Sequence, residues 1–191
     1  MPILSIHNTI EAAWIFFLLF WFAMSFAVKR TVRRLSLAGR TFQVAMGAVA
    51  YLLLFSDALE QGWRARRVVP PAQAWALAGV VLTYCGVAFA CWARVILGRN
   101  WSAMVTVKQD HQLVRSGPYS IVRHPIYSGL LLAGLGTALA VGEVRGFLAV
   151  ALAFVGWLIK SRSEERFMIE EFGDEYLEYR RRTGGLVPFI G

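Results

Sequence analysis

Five long apolar runs constrain the fold of this chain more than any other feature of its sequence. They cover residues 10–28, 41–59, 73–97, 126–142 and 147–159. A helix that crosses a bilayer needs roughly 20 mostly apolar residues, and shorter runs can cross when two helices pair as a hairpin. Hydrophobic residues make up 57% of the chain, which is too many for an ordinary soluble domain. The sequence therefore predicts an all-α integral membrane bundle of about five transmembrane helices.

The chain is predicted to form a single membrane domain, 1–191, with its polar chemistry in one half. Residues 1–97 hold the first three apolar runs, and residues 98–191 hold the remaining two with most of the polar motifs. After the fifth run, apolar residues recur at steps of three and four over 164–182, which predicts a C-terminal amphipathic helix near the membrane surface. Gly184 and Gly185 are expected to end that helix.

The distribution of basic residues predicts the orientation of the bundle. Placing the loop after the first run inside leaves sixteen of the 20 Lys and Arg residues on the cytoplasmic side. The exceptions are Arg64, Arg66, Arg67 and Arg145. The N-terminus is then outside and the C-terminus cytoplasmic, in the plasma membrane of a prokaryote. The formal net charge of +8 fits this asymmetry and contact with membrane lipids, so no nucleic-acid partner is expected.

Small residues within the apolar runs indicate packing rather than metal or disulfide chemistry. Cys85 and Cys91 lie six residues apart in one helical run and point in different directions, so neither a disulfide nor a metal site is expected. Gly129, Gly134 and Gly136 give the fourth run a surface that another backbone can approach closely. That surface can pack within one chain or between two, which leaves the oligomeric state open.

Two polar segments are predicted to meet on the cytoplasmic side. Pro125 suits the first turn of the fourth helix, so His124 stands at a helix N-terminus, where free N–H groups favour an anionic group. Lys160 and Glu164 are four residues apart and share a helix face as the fifth helix leaves the membrane. Because a helical hairpin returns the chain to the same side, we expect these segments to form a pocket at the cytoplasmic interface.

Several motifs in order resemble one family of membrane enzymes. The run from His111 to Gly129 ends in RHPIYSG and is followed by a short hairpin, Glu164-Glu165, FGDEYLEYRRR and a closing LVPFI. Over about residues 98–190 this order is similar to the isoprenylcysteine carboxyl methyltransferase family, and related phospholipid N-methyltransferases share part of it. Membrane sterol reductases carry a string similar to RHPIYSG alone.

The resemblance implies an S-adenosylmethionine-dependent methyltransferase that acts on a lipophilic substrate. The cofactor-binding positions that it implies are His111, Gln112, Leu113, Val114, Tyr119, Arg123, His124, Pro125, Tyr127 and Glu164. The family also has a substrate-binding arginine one turn before the glutamate, where this chain has Lys160, with Arg162 two residues on. Lysine clamps a carboxylate less well than arginine, so this departure leaves the methyl acceptor open.

Four interpretations of the activity remain open. Carboxyl O-methylation of an isoprenylcysteine-like or other lipid carboxylate leads, because an ionised carboxylate needs alignment and desolvation but no general base. A phospholipid amine would need deprotonation, for which Glu165, His124 or Tyr127 are candidate bases. An NADPH-dependent reductase of the sterol-reductase kind and a non-catalytic membrane protein complete the set. For a methyltransferase, the catalytic candidates are Lys160, Arg162 and Glu165, with the lipophilic substrate entering from the bilayer and the cofactor from the cytoplasm.

Overall fold

The computed structural model describes residues 3–26, 37–56, 62–98, 113–188 and 190. These residues form α-helices and two short 3-10 helices, with only isolated β-bridges between segments. The α-helices are α1 (Ile3–Ser25), α2 (Leu37–Phe55), α3 (Gln73–Leu97), α4 (Pro125–Val141), α5 (Val144–Phe172) and α6 (Asp174–Arg182). The predicted all-α architecture is therefore confirmed for the described residues.

Three of these helices are long and apolar enough to cross a bilayer. They are Ile6–Ser25 in α1, Gln73–Leu97 and Val144–Phe172. The apolar parts of the other two candidates, Val44–Phe55 and Pro125–Val141, are shorter. The many apolar side chains that face outward, such as those of Phe22 and Leu19, fit a lipid surrounding. The chain is an integral membrane protein built from several apolar helices.

The helix boundaries agree with the sequence for α3 and disagree for α5. Helix α3 covers the predicted run 73–97. Helix α5 does not end at residue 159, because it continues as one helix to Phe172, and the amphipathic helix predicted over 164–182 is divided between its end and α6. The break lies at Gly173, whose φ of 52° lies in a region that favours glycine. Its N–H bonds the carbonyl of Ile169 at 2.9 Å.

Among the described helices, α3 and α4 share the largest contact surface, and they approach each other at glycine residues. Gly129 of α4 lies against Gly86 and Ala90 of α3, and Gly136 lies against Gly79 and Thr83. A side chain on any of these glycines would meet the opposite backbone within 3 Å. The predicted close approach of the fourth helix is therefore confirmed within one chain for Gly129 and Gly136, whereas Gly134 faces Val150 of α5, where a side-chain carbon would make an ordinary contact at 3.6 Å.

Polar side chains tie α1 to this pair at two depths. The indole nitrogen of Trp14 donates to the Thr137 hydroxyl at 3.0 Å, and that hydroxyl lies 3.3 Å from the hydroxyl of Thr83. Nearer the ends of α1 and α3, the fully buried Arg94 donates to the carbonyls of Met24 and Gly98, each at 2.7 Å. Since the last carbonyls of a helix lack intrahelical partners, Arg94 satisfies one carbonyl near each helix end.

The turn between α4 and α5 is fastened to the loop after α2. Gly142 ends α4 with φ 74°, and its carbonyl accepts from Val68 N–H at 2.9 Å. Arg145 is buried, pairs with Glu143 at 2.6 Å, and donates to the carbonyl of Ser56 at 2.8 Å. The predicted tight hairpin is thus present, and it is anchored at the end opposite to the polar motifs.

At the other end of the bundle the chain after α6 folds back over the start of α4. Residues 183–188, called the C-terminal strap below, form a bridge in which Gly184 pairs with Val122. The Gly184 carbonyl accepts from Arg123 N–H at 2.8 Å, and the Ser128 hydroxyl donates to the Leu186 carbonyl at 2.5 Å. The strap therefore fixes the segment that carries His124.

Candidate active site

The predicted meeting of the two polar segments is confirmed by the structure. A 3-10 helix, Gly117–Ser120, precedes the short link to α4, which begins at Pro125. His124 is the N-cap residue of α4, and its side chain reaches Glu164 and Glu165 of α5. The start of α4 and the polar part of α5 therefore share one cluster of ionisable side chains.

His124 lies between two carboxylates. Its Nδ1 is 3.4 Å from Glu164 Oε2, and its Nε2 is 3.2 Å from Glu165 Oε1. Burial disfavours the imidazolium, but the hydrogen bonds and charges of both carboxylates outweigh it, so the pKa of His124 is raised above 6.5. A protonated ring donates from both nitrogens and can bond both carboxylates at once.

Glu164 is held by three different side chains. The Tyr127 hydroxyl donates to Oε1 at 2.7 Å, Lys160 Nζ lies 4.0 Å from the same oxygen, and His124 approaches the other oxygen. Lys160 Nζ also lies 5.2 Å from the centre of the Tyr127 ring. The Glu164 side chain keeps 21% of its surface exposed. Since a carboxylate has about four acceptor positions, Glu164 retains capacity for a ligand cation or donor.

Three aromatic rings are stacked beside this carboxylate. The His124 and Tyr127 rings lie 5.7 Å apart with an interplanar angle of 8°, and Tyr127 and Trp157 lie 5.8 Å apart at 5°. Offset stacks at this spacing are favourable. His124 and Trp157 therefore hold the Tyr127 ring, whose hydroxyl donates to Glu164.

Glu165 is joined to the C-terminal strap through Arg123. Arg123 Nε donates to Glu165 Oε1 at 2.7 Å, and its Nη1 donates to the carbonyls of Thr183 and, at 3.1 Å, Arg180. Arg180 Nε lies 3.6 Å from the other oxygen of Glu165. The Arg123 side chain is only 3% exposed. It therefore faces the strap and Glu165, and not an open part of the site.

Tyr119 anchors the turn before α4. Its ring is buried with Ala93 and Ile126, and Val114 packs on the same cluster. Burial, and then the neighbouring Tyr179 and Glu164, raise the pKa of Tyr119, so its hydroxyl stays neutral. The Tyr179 hydroxyl donates to the Tyr119 carbonyl at 2.6 Å, which ties α6 to this turn.

The remaining predicted site residues differ in how they relate to the cluster. Pro125 is buried as the first residue of α4, Leu113 is half-buried, and His111 and Gln112 lie outside the described residues. Arg162 is exposed on α5 and makes no ion pair or side-chain hydrogen bond with any described residue. The cluster also contains Arg180 and Trp157, which sequence reasoning did not assign to it. Trp157 lies one turn before Lys160, a spacing that could have placed it there.

An apolar cavity of about 300 Å³ opens beside the cluster, inside the bundle. Side chains of α1, α2, α4 and α5 line it, and these include Phe17, Ala50 and Leu130. At one end its lining includes Trp157 and Lys160. Lys160 therefore borders both the apolar cavity and the Glu164 carboxylate.

A family model described as phospholipid methyltransferase matches residues 75–175, more than half of the 191-residue chain. The match includes α3 from Trp75 onwards and all of α4 and α5, with His124, Lys160 and Glu164. The chain belongs to the phospholipid methyltransferase family. The polar cluster thus lies within the part of this family member that the family model covers.

Curated relatives confirm the resemblance noted from the motifs. The chain is 39% identical over 98 residues to protein-S-isoprenylcysteine O-methyltransferase of Saccharomyces cerevisiae, covering 49% of this chain and 40% of that protein. It is 33% identical over 103 residues to protein-S-isoprenylcysteine O-methyltransferase B of Arabidopsis thaliana, covering 51% of each. The chain therefore spans about half or less of the length of these relatives.

A solved structure shares the fold. The eukaryotic intramembrane Ras methyltransferase, isoprenylcysteine carboxyl methyltransferase, aligns with a TM-score of 0.52 and 22% sequence identity over 82% of this chain and 54% of its own. The helical membrane architecture of this phospholipid methyltransferase family member is therefore also found in a membrane enzyme. Within the described ranges, no group of three His, Cys, Asp or Glu side chains is placed to hold a metal ion.

Proposed function

We propose that this chain is an S-adenosylmethionine-dependent methyltransferase that methylates a carboxylate on a lipophilic, isoprenylcysteine-like acceptor. Membership of the phospholipid methyltransferase family supports methyl transfer, and the names of the curated relatives support a carboxylate acceptor. The apolar cavity within the bundle provides space for a lipid tail.

The position of Lys160 is the observation that carries this proposal. Its ammonium borders the apolar cavity, lies 4.0 Å from Glu164 and approaches the face of Tyr127. An acceptor whose tail fills the cavity would bring its polar end to this cation. Lys160 attracts a carboxylate there and repels an ammonium group. It therefore favours O-methylation of a carboxylate over N-methylation of an amine.

The chemistry of the cluster fits S-adenosylmethionine. When bound, this cofactor supplies an electrophilic methyl group on a sulfonium. Glu164 has unused acceptor capacity for the cationic α-amino group of the cofactor, and the start of α4 offers N–H donors. Together with the turn at Tyr119, these groups would hold the cofactor.

The residues of the site would act by alignment. Tyr127 and His124 fix the Glu164 carboxylate, while Lys160 orients the acceptor carboxylate at the cavity end. Trp157 stacks on Tyr127 and lines the apolar cavity, so these rings would limit the access of water from that side. A carboxylate nucleophile is ionised at pH 7, so the transfer requires no proton acceptor, and alignment with desolvation can lower the barrier.

N-methylation of a phospholipid amine is the second candidate, and the description of the matched family favours it. An amine must lose a proton, and Glu165 is already bonded to Arg123, Arg180 and His124. These cations stabilise the ionised form of Glu165 and reduce its strength as a base. The structure of the cluster thus favours the carboxylate acceptor.

We further propose that α1 to α5 all cross the membrane, with the N-terminus outside and the cluster on the cytoplasmic side of a prokaryotic plasma membrane. The shorter apolar parts of α2 and α4 can cross as partners of longer helices. The excess of Lys and Arg at the cluster end supports this orientation.

Calorimetric titration tests the cofactor assignment. Detergent-purified wild type is titrated with S-adenosylhomocysteine and, separately, with NADPH, beside Glu164→Gln and the exposed control Glu171→Gln. We expect saturable binding of S-adenosylhomocysteine that weakens at least tenfold in Glu164→Gln and is unchanged in the control, because only Glu164 belongs to the cluster. Binding of NADPH alone would contradict a methyltransferase and support a reductase.

Labelled methyl transfer tests the acceptor. The acceptors are an S-prenylated N-acetylcysteine, its carboxamide and phosphatidylethanolamine. We expect transfer only to the free carboxylate, a loss of at least tenfold in kcat/KM for Lys160→Met, and retained activity for Lys160→Arg, which keeps the cation. Transfer to phosphatidylethanolamine but not to the carboxylate would establish the N-methyltransferase instead.

A further inference from the structure

A second cavity lies at the opposite end of the bundle from the cluster. Its volume is about 410 Å³, and it lies between the start of α1, the end of α2, the start of α3 and the α4–α5 turn. Helix α4 separates the two ends by 17 residues, or roughly 25 Å at 1.5 Å per residue. This second cavity, called the distal cavity below, is therefore separate from the proposed catalytic site.

Arg67 at the edge of the distal cavity is held by the backbone around it. The Arg67 backbone forms an antiparallel bridge with Glu143, and Val144 N–H donates to the Arg66 carbonyl at 3.0 Å. The guanidinium lies against Gly142, where a side-chain carbon would come within 2.7 Å of Nη2. Arg67 is therefore positioned at the cavity edge by a fixed loop and by the absence of a side chain at residue 142.

Four of the described residues that line the distal cavity can carry a charge, and they are His7, Arg67, Glu143 and Arg145. Arg145 is paired with Glu143 at 2.6 Å, and His7 lies 3.1 Å from Glu11. The Arg67 side chain makes no ion pair or hydrogen bond with any residue in the described part of the chain. Within the described lining, Glu143 and Arg145 offset each other and Arg67 carries the remaining positive charge, which suits a ligand with a single negative charge.

Most of the remaining residues in the cavity wall are apolar. Side chains of Ile6, Ile10, Phe55 and Leu139 line it. Trp75 also borders it and keeps 47% of its surface exposed, as is typical of tryptophan at a membrane interface. A ligand that fits must therefore combine one anionic group with an apolar chain, at the depth of the lipid head groups.

We propose that the distal cavity binds one anionic phospholipid of the surrounding membrane, with the lipid phosphodiester at Arg67 and an acyl chain along the apolar wall. A phosphodiester carries a single negative charge that can pair with the Arg67 guanidinium. The planar guanidinium can bond two of the phosphodiester oxygens. A zwitterionic lipid has a second, positive group that the Arg67 edge disfavours. This site does not depend on the proposed methyltransferase activity.

Thermal unfolding in detergent tests the distal site. Wild type, Arg67→Gln, Arg67→Lys and Arg66→Gln are each measured without lipid and with phosphatidylglycerol, phosphatidylcholine or inorganic phosphate. At lipid ten times above its Kd, we expect phosphatidylglycerol to raise the wild-type Tm by about 3–6 °C more than phosphatidylcholine does. Arg67→Gln should lose this difference, Arg67→Lys should keep part of it, and the neighbouring control Arg66→Gln should keep all of it.

Two results would overturn the proposal. An equal shift with phosphatidylglycerol and phosphatidylcholine, or an undiminished shift in Arg67→Gln, would show that Arg67 selects no anionic lipid. A shift of the same size with inorganic phosphate would show that the cavity binds a free anion and not a lipid. Because the assay measures binding alone, a failed methyltransferase assay would leave it intact.

Discussion

Replacing Arg123 with alanine should destabilise the protein more than any exposed substitution. Its guanidinium is almost fully buried and bonds Glu165 and the carbonyls of Arg180 and Thr183. Removing one partner of a buried ion pair typically costs about 3–5 kcal/mol, because the remaining charge is left uncompensated. For a chain of this size each kcal/mol shifts the Tm by roughly 2–4 °C, so the expected fall is about 6–20 °C.

The assay is thermal unfolding of the purified protein, and two further variants are compared with Arg123→Ala. Arg166→Ala removes an exposed arginine from α5 and should stay within about 0.5 kcal/mol of wild type. Arg123→Lys keeps the charge but loses the planar fork, so its Tm should lie between those of wild type and Arg123→Ala. A Tm for Arg123→Ala within about 2 °C of the Arg166→Ala value, on the scale of one exposed substitution, would refute the structural role assigned to Arg123.

Three further substitutions test other parts of the structure. The pKa of His124 is raised in the folded state, so protonated His124 stabilises the folded protein. This contribution to the free energy of unfolding should be complete below about pH 6.5 and should be lost as the pH rises through the folded pKa. Unfolding of His124→Gln between about pH 6 and 9 should show a weaker dependence on pH, and an unchanged profile would contradict the assignment. Gly86→Ala places a carbon 2.8 Å from Ala133 Cα and should cost about 1–3 kcal/mol by urea unfolding, whereas Gly47→Ala meets nothing and should cost none. Gly173→Ala is free of clashes but strains a positive φ, so it should lower stability by about 1–3 kcal/mol without weakening S-adenosylhomocysteine binding at a saturating concentration.

Helix boundaries were predictable where glycine or proline sets them. Helix α3 follows the Pro70–Pro71 pair and ends at Leu97, just before Gly98, and its predicted limits are those of the structure. The apolar run stops at residue 159 and so predicts the end of α5 there, and this prediction is wrong. Intrahelical hydrogen bonds do not depend on hydropathy, so the helix continues through polar residues as far as Phe172. Gly173, which follows it, is the signal in the sequence that marks this helix end.

The candidate site was predictable where its contacts are local. The pairing of Lys160 with Glu164 follows from helical spacing, and the position of His124 follows from the proline after it. The role of Arg123 was not accessible, because its partner carbonyl at Thr183 lies 60 residues away in the strap. Neither segment has the alternating pattern of a strand, so nothing local in the sequence shows that they pair.

The length of α5, which is one continuous helix, bears on the depth of the candidate site in the proposed membrane topology. From Val144 to Glu164 an α-helix rises about 30 Å, which is also roughly the thickness of the hydrocarbon core. In the topology proposed above, the end of α5 that is held by the Arg145–Glu143 pair lies at one membrane face, and Glu164 and Glu165 lie at the boundary of the opposite face. In that arrangement an acceptor of the proposed reaction must present its reacting group at this boundary while its tail remains within the bilayer, so the thickness of the bilayer would help to select which molecules can react.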